Sequence, residues 1–238
     1  MYTGTGMYTL GEAARLIGVP SPQLNRWLFG YRYTKGPDNS RIKSWSPPLW
    51  TPELADQDFD EKVIGFHDLL EVRFVGAFVR YGVPLIVVRR CLESAQQLYG
   101  VKYPFTTLRF KTDGRTIFGE ALRQAEKDGA LVDLRNRQHV FREIINPSLY
   151  AGIEYRQDQA LKWYPALKRD RVVLDPSRQF GSPILEDSGT PTDVIYASYL
   201  AEGGHEAAIK QTASAYEVQV RYVKAAVRFE ESLRQRVH

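Results

Sequence analysis

The chain has 238 residues, of which 43% are hydrophobic and 25% charged, with a formal net charge of +4 at pH 7. These proportions are typical of a globular protein with room for one large domain or two to three small ones. The single cysteine, Cys91, excludes an internal disulfide and a cysteine-cluster metal site. Uncharged apolar runs such as YGVPLIVV are far shorter than the roughly 20 residues of a membrane span, and residues 1–10 lack a secretory signal pattern. We therefore expect a cytoplasmic protein that does not enter membranes.

Residues 9–29 have the pattern of two short helices around a glycine turn. Thr9 and Glu12 form a capping-box signature, and Gly18 can adopt the positive φ that ends a helix. Ser21 is expected to cap the second helix, with Pro22 at its first position.

The spacing of Ala14, Gly18 and Leu24 matches the small residue, turn glycine and apolar anchor of a helix-turn-helix. The outward side of its second helix carries side chains that can make bidentate contacts to base edges, namely Gln23, Asn25 and Arg26. The competing interpretation is a helical hairpin with a solvated polar face.

Positive charge is concentrated around this segment. The first fifty residues carry six basic and two acidic side chains, whereas the next fifty carry five basic and eight acidic ones. Residues 29–50 predict a β-hairpin around GPDNS, whose basic side chains would reach phosphates. These are Arg32, Lys35, Arg41 and Lys43.

A second helix pair follows. Apolar residues keep helical spacing from Phe66 to Tyr81, YGVP interrupts the pattern, and a further stripe runs from Leu85 to Ala95. The segments YTLGEAARLIGVPSPQLNRWL and FHDLLEVRFVGAFVRYGVPLIVVRRCLESA resemble the MerR-like winged-helix family over residues 8–98. The resemblance implies a DNA-binding head at residues 7–100.

Two features depart from that family. Asn25 and Arg26 stand where its members have an arginine and an aromatic residue, so its base preferences do not transfer. The long dimerisation helix is expected to be missing, because the chain is interrupted at Gly100 and Pro104 after Ala95.

Residues 101–171 predict a small β-rich connector. Asp113-Gly114 is a two-residue hairpin signal within TTLRFKTDGRTIFGEA, and GIEY and RVVLD have the composition of short strands. The chain has no phosphate-binding glycine loop, GxSxG, HExxH or paired-cysteine motif. We therefore expect no enzymatic activity, no catalytic residue, no metal and no cofactor.

Residues 172–238 predict three helices. Thr190 or Thr192 would cap the first, and Ser214 with Glu217 would form a capping box at the start of the last. On that last helix, a basic strip lies beside the apolar stripe; it consists of Arg221, Lys224 and Arg228. Such a module could be a second, homeodomain-like DNA reader or a docking domain.

This tail resembles the three-helix domain of a group of bacterial VapB-type antitoxins over residues 172–233. The shared signature is DPxxxFGxP, then a GT turn at Gly189-Thr190, and AxRFE near the end of the last helix. The resemblance implies a PIN-domain ribonuclease toxin as the partner, inhibited in the complex. The residues expected to bind it are Arg221, Lys224, Arg228, Phe229, Arg234 and Arg236.

These observations predict an α+β protein, mainly α, with domains at 7–100, 101–171 and 172–238. The implied function is an antitoxin that neutralises its toxin and, as a homodimer, binds double-stranded operator DNA to regulate its own transcription. The alternatives are a free-standing MerR-like regulator with a ligand-binding or dimerising C-terminal part, and a scaffold that never touches DNA.

Overall fold

The computed structural model describes residues 4–35, 42–128 and 147–236. Arg41, the tip of the predicted hairpin and residues 129–146 lie outside this part of the chain. Contacts divide the chain into two compact units, one of residues 9–144 and one of residues 1–8 with 145–238. The predicted fold class, α+β and mainly helical, is confirmed. The MerR-like and homeodomain-like details and the three-domain division stay predictions.

The first half of the chain contains nine elements within the described residues, beginning with a two-residue strand. In order they are β1 (Tyr8–Thr9), α1 (Leu10–Ile17), α2 (Ser21–Phe29), β2 (Tyr31–Lys35), β3 (Ile42–Ser46), β4 (Val63–Ile64), α3 (Phe66–Arg80), α4 (Leu85–Tyr99) and α5 (Leu108–Lys127).

The predicted helix pair at the start of the chain is present. The capping box of Thr9 and Glu12 opens α1, and Gly18 ends it with φ 67°. The expectation that Ser21 caps α2 is wrong, because Ser21 is already helical and follows Pro20. Its hydroxyl instead donates to the carbonyl of Leu10 at 3.2 Å and so ties the two helices together.

The hairpin predicted after α2 is also present, since β2 and β3 pair antiparallel with Tyr31 opposite Ser46 and Lys35 opposite Ile42. The break between the next two helices falls at the predicted place, between Arg80 and Leu85.

The hairpin predicted at Asp113-Gly114 is wrong, and with it the β-rich character of the first part of the connector. These residues lie inside α5, which packs along α4. Buried residues of α5 recur every three or four positions, so helical geometry places them all on one face. They are Phe110, Gly114, Ile117, Phe118, Ala121, Leu122 and Ala125.

A long helix, α5, does follow α4, although the sequence predicts that the long dimerisation helix of the MerR-like family is missing here. This helix has 20 residues, and Thr107 caps its start. It follows the interruption of the chain at Gly100 and Pro104. Because its apolar face is buried within the chain, that face is not available as the seam of an intermolecular coiled coil.

The other unit combines a small sheet with helices. Its elements are α6 (Pro147–Tyr150), β5 (Ile153–Arg156), β6 (Gln159–Trp163), β7 (Val172–Leu174), β8 (Pro183–Leu185), α7 (Thr192–Ala201), α8 (Glu206–Ala215) and α9 (Val220–Gln235). The four strands are antiparallel in the order β5-β6-β7-β8, which confirms the strands predicted in GIEY and RVVLD. Tyr164, Val173 and Ile184 pack together in its core.

The three predicted helices of the tail are present, but their starts differ from the prediction. Neither Thr190 nor Thr192 caps α7, which follows Pro191 and lacks a side-chain cap. Ser214 lies in the last turn of α8, and Glu217 sits in the turn before α9 with φ 52°. The predicted capping box is therefore wrong, because the turn interrupts the helical spacing that such a box needs.

Within the described residues, none of the helices combines the length and apolar character needed to cross a membrane.

Candidate functional site

The outward face of α2 is held in place by a buried inner face. Leu24 and Leu28 are fully buried and Trp27 is nearly so. This packing leaves Arg26 exposed and Asn25 partly exposed, with Gln23 also partly exposed at the margin. The structure thus brings the three predicted base-contacting residues together on one accessible helix.

A residue from another segment joins this face. The ammonium of Lys62 donates to Oδ1 of Asn25 at 2.7 Å and lies 4.7 Å from the ring centre of Phe29. Lys62 is exposed and is 37 positions from Asn25 in the chain. Sequence reasoning missed it, because nothing in a linear pattern indicates which residue of a loop returns to a helix.

The hairpin presents basic and aromatic side chains on one face. Directly opposed residues of antiparallel strands share a face, so the pairs Arg32–Trp45 and Thr34–Lys43 lie together. All four are exposed, and Trp45 keeps 54% of its surface accessible. An exposed tryptophan next to two cations can stack on a base or a sugar, a role that the sequence analysis did not assign to Trp45.

Local contacts fix the hairpin against α2. The guanidinium of Arg26 lies 5.6 Å from the ring centre of Tyr31, at the start of β2. Beyond β3, the guanidinium of Arg89 donates to the carbonyls of Pro47 and Pro48, both at 2.7 Å. These contacts orient the basic face relative to the helix face.

Two buried acidic side chains, Asp68 and Glu71, hold together the segments that pack behind this face. Asp68 accepts hydrogen bonds from the indole of Trp50 at 2.7 Å, the hydroxyl of Tyr103 at 2.9 Å and two backbone N–H groups. Burial raises the pKa of Asp68, although all of these donors act to lower it.

Glu71 accepts from the backbone N–H groups of Phe105 and Thr106 at 2.9 and 3.1 Å. Burial raises the pKa of Glu71 to about 8, against the lowering effect of those donors. Both acids hold the connection into α5 and have no exposed surface, so their role is structural.

The predicted toxin-binding strip on α9 is largely engaged within the chain. Lys224 pairs with Glu206 at 2.6 Å, and Arg228 reaches Asp170 at 3.5 Å. Arg221 donates to the hydroxyl of the adjacent Tyr222 at 2.9 Å. The strip is therefore not a row of unpaired cations, although the side chain of Arg228 remains 62% exposed.

The end of α9 carries the remaining predicted residues. Arg234 is exposed and lies 4.5 Å from the ring centre of Tyr196 on α7, and Arg236 is exposed at the helix end. Phe229 is only 6% exposed, because it faces the interior of the helical module. It therefore contributes packing to the tail rather than accessible contact area.

The FGxP part of the tail signature forms a tight turn. Gln179, Phe180 and Gly181 all have positive φ, at 46°, 52° and 82°. The backbone is fixed there by hydrogen bonds from Met7 N–H to Phe180 O and from Tyr8 Oη to Gly181 O, at 2.8 and 2.7 Å. This turn displays the Phe180 side chain, which is 65% exposed.

The architecture is thus that of a mainly helical α+β protein with an exposed polar helix beside a basic hairpin in one unit and a three-helix module in the other. No protein-family model matches the chain. A Mycobacterium tuberculosis protein named "Putative antitoxin VapB45" is 28% identical over 192 residues, covering 77% of this chain and 78% of that protein. The crystal structure of Rv2018 from the same organism has a TM-score of 0.62 at 21% identity, covering 95% of this chain and 100% of that one. That structural likeness supports the fold alone.

Proposed function

We propose that the chain is the antitoxin of a type II toxin–antitoxin pair, which neutralises a PIN-domain ribonuclease and binds operator DNA to repress its own transcription. The observation that carries this proposal is the similarity to VapB45. Its 192 aligned residues exceed the length of either compact unit, so the similarity extends beyond a single shared module.

The DNA-binding part of the proposal rests on the face formed by α2 and the hairpin. In the proposed complex, α2 enters a major groove of the DNA with Gln23, Asn25 and Arg26 near base edges. Arg32 and Lys43, exposed on one face of the hairpin, contact phosphates, as do Lys35 and Arg41 in the same segment. A homodimer on a pseudo-palindromic operator follows from symmetry.

The toxin-binding part rests on the cations of α9. A PIN active site is a cluster of carboxylates around Mg²⁺, and a guanidinium can pair with such carboxylates when the metal is displaced. Arg228, Arg234 and Arg236 are the main candidates, because all three are exposed and the contact of Arg228 with Asp170, at 3.5 Å, is longer than the 2.6 Å pair of Lys224 with Glu206. Arg221 would contribute from the other end of the helix.

The decisive experiment is co-expression with the product of the adjacent reading frame, followed by co-purification and an RNA cleavage assay. We expect a stable complex in which cleavage is suppressed. The double variant R228A/R234A should release the ribonuclease activity, whereas K210A, which removes an exposed lysine of α8, should not. A chain that binds DNA upstream of its gene but no neighbouring product would instead be a free-standing regulator.

The DNA-binding part is tested with duplexes from the region upstream of the gene, titrated with salt. We expect R26A to weaken binding to the preferred duplex, and R32A/K43A to reduce the magnitude of the salt slope by about 2 per protomer, or about 4 for the homodimer. K127A at the end of α5 is the control and should change neither quantity. If R26A and R32A/K43A leave both the Kd and the salt slope unchanged, this face does not bind DNA.

A further inference from the structure

The contact between Lys62 and Asn25 determines which hydrogen-bonding groups the outward face of α2 offers. A lysine ammonium carries three donors and no acceptor, so the amide atom that faces it must be the oxygen. The 2.7 Å hydrogen bond therefore fixes the orientation of the Asn25 amide, with its NH₂ group directed away from Lys62.

This orientation changes what Asn25 can recognise. An asparagine normally pairs with adenine through two bonds, its oxygen accepting from the N6 amino group and its NH₂ donating to N7. Here the ammonium of Lys62 takes one of the two lone pairs of Oδ1, and its positive charge beside that oxygen disfavours the amino group that adenine would bring to the other. Beside that oxygen, the NH₂ of Asn25 and the remaining N–H groups of Lys62 offer a base edge more donors than asparagine alone.

Arg26, exposed at the next position, also carries only donors. Guanine presents two acceptors, N7 and O6, in the major groove, whereas adenine presents one acceptor and one donor. We propose that Lys62 is a specificity-determining residue of the DNA-binding face, which adds donors and positive charge beside the amide of Asn25 and so favours guanine over adenine. This inference rests on the proposed DNA-binding function.

The surroundings of Lys62 argue against the simpler role of a phosphate anchor. Residues 53–62 contain five acidic side chains and no other base, and Asp60 and Glu61 next to Lys62 are exposed. Such a segment is repelled by the phosphate backbone, so Lys62 is not a member of a basic patch. The 2.7 Å hydrogen bond to Asn25 instead holds its ammonium at the outward face of α2.

The test is selection of preferred duplexes from a randomised library by the full chain, compared with K62M, K127M and N25A. The wild-type chain should select guanine at the position that loses its preference in N25A. K62M should shift that position toward adenine by about tenfold in the ratio of the two bases. K127M should keep the wild-type preference, and thermal unfolding should show that K62M retains the fold.

The outcomes separate the two proposals. Duplex binding with an unchanged preference in K62M, or selection of adenine by the wild-type chain at the position assigned to Asn25, would overturn the inference while leaving DNA binding in place. Absence of any salt-dependent duplex binding by the wild-type chain would overturn the proposed DNA binding and this inference together.

Discussion

Gly30 joins α2 to the hairpin in a backbone conformation that is essentially restricted to glycine, with φ 72° and ψ 173°. A Cβ at this position would lie 2.4 Å from Cζ2 of Trp45 and 2.7 Å from the carbonyl oxygen of Ser46. The second contact is with backbone, so relief requires the hairpin to move. The close approach of hairpin and helix therefore depends on the missing side chain.

We expect G30A to lower the free energy of unfolding by about 2–4 kcal/mol, from backbone strain together with overpacking. Urea denaturation of the full chain measures the change. G82A is the matched control, because Gly82 also has positive φ, 81°, but no atom lies within 4 Å of its added Cβ. Its loss should be about 1 kcal/mol. Equal losses in the two variants would contradict the packing argument.

Glu71 predicts a pH dependence of stability. Its pKa rises from 4.5 to about 8 on folding because the carboxyl is buried. Between these pH values the folded chain holds a proton that the unfolded chain has released. The contribution of this group to the free energy of unfolding is therefore largest below pH 4.5 and is lost as the pH rises through 8. The loss over this window is about 4–5 kcal/mol. Asp68, whose pKa is also raised by burial, acts in the same direction.

Denaturation midpoints and slopes measured from pH 5 to 9 test this expectation. The variant E71Q carries a neutral side chain of the same shape and should show a flatter profile above pH 5 than the wild-type chain. Identical profiles for the two proteins would show that Glu71 does not take up a proton on folding.

Helix α5 derives its stability from aromatic packing. The ring of Phe118 is 5.6 Å from that of Phe78, which in turn is 5.1 Å from that of Phe105. We expect F118A to cost about 3–5 kcal/mol, since it removes a buried ring and leaves a cavity. L108A, at a position 42% exposed on the same helix, should cost under about 1 kcal/mol. Similar costs in urea denaturation would indicate that the helix is not anchored through this cluster.

The same helix shows why a local signal failed. Asp113-Gly114 is a strong turn dipeptide by itself, but turn propensity amounts to only about 1 kcal/mol. A helix through these residues buries Phe110 and Phe118 on the same side as Gly114, which is worth several times more. The aromatic ring of Phe110 lies against Gly114, where a Cβ would come within 2.9 Å of it.

The last helix shows the converse limitation. The spacing of Arg221, Lys224 and Arg228 correctly places them along one side of α9, since positions three or four apart are neighbours on a helix. Which of these cations is neutralised depends on Glu206 and Asp170, which come from other elements. Amphipathic spacing therefore identified the strip without identifying its accessible members.

At the level of the whole molecule, the two proposed binding activities reside in different compact units. Each unit has its own buried residues, such as Leu24 and Phe78 in one and Val173 and Ile184 in the other. Substitutions of exposed residues in one unit should therefore leave the packing of the other intact.

We expect R32A/K43A to lose about half of the salt dependence of its DNA affinity while still inhibiting the toxin, and R228A/R234A to lose inhibition while still binding DNA. Duplex binding and RNA cleavage by the same preparations of the full chain measure both activities. Loss of both activities in either double variant, with thermal stability unchanged, would show that the two functions share a surface.

The sequence by itself determined the helix pair of residues 10–29, the hairpin that follows and the three helices of the tail. Their signals are local: a capping box, glycines that permit positive φ, and periodic apolar residues within one segment. Only the tertiary structure decided that residues 108–127 are helical, that Lys62 meets Asn25, and that Phe229 faces inward. Each of these depends on contacts between segments far apart in the chain, and the free energy of such contacts exceeds the local preferences that a linear pattern expresses.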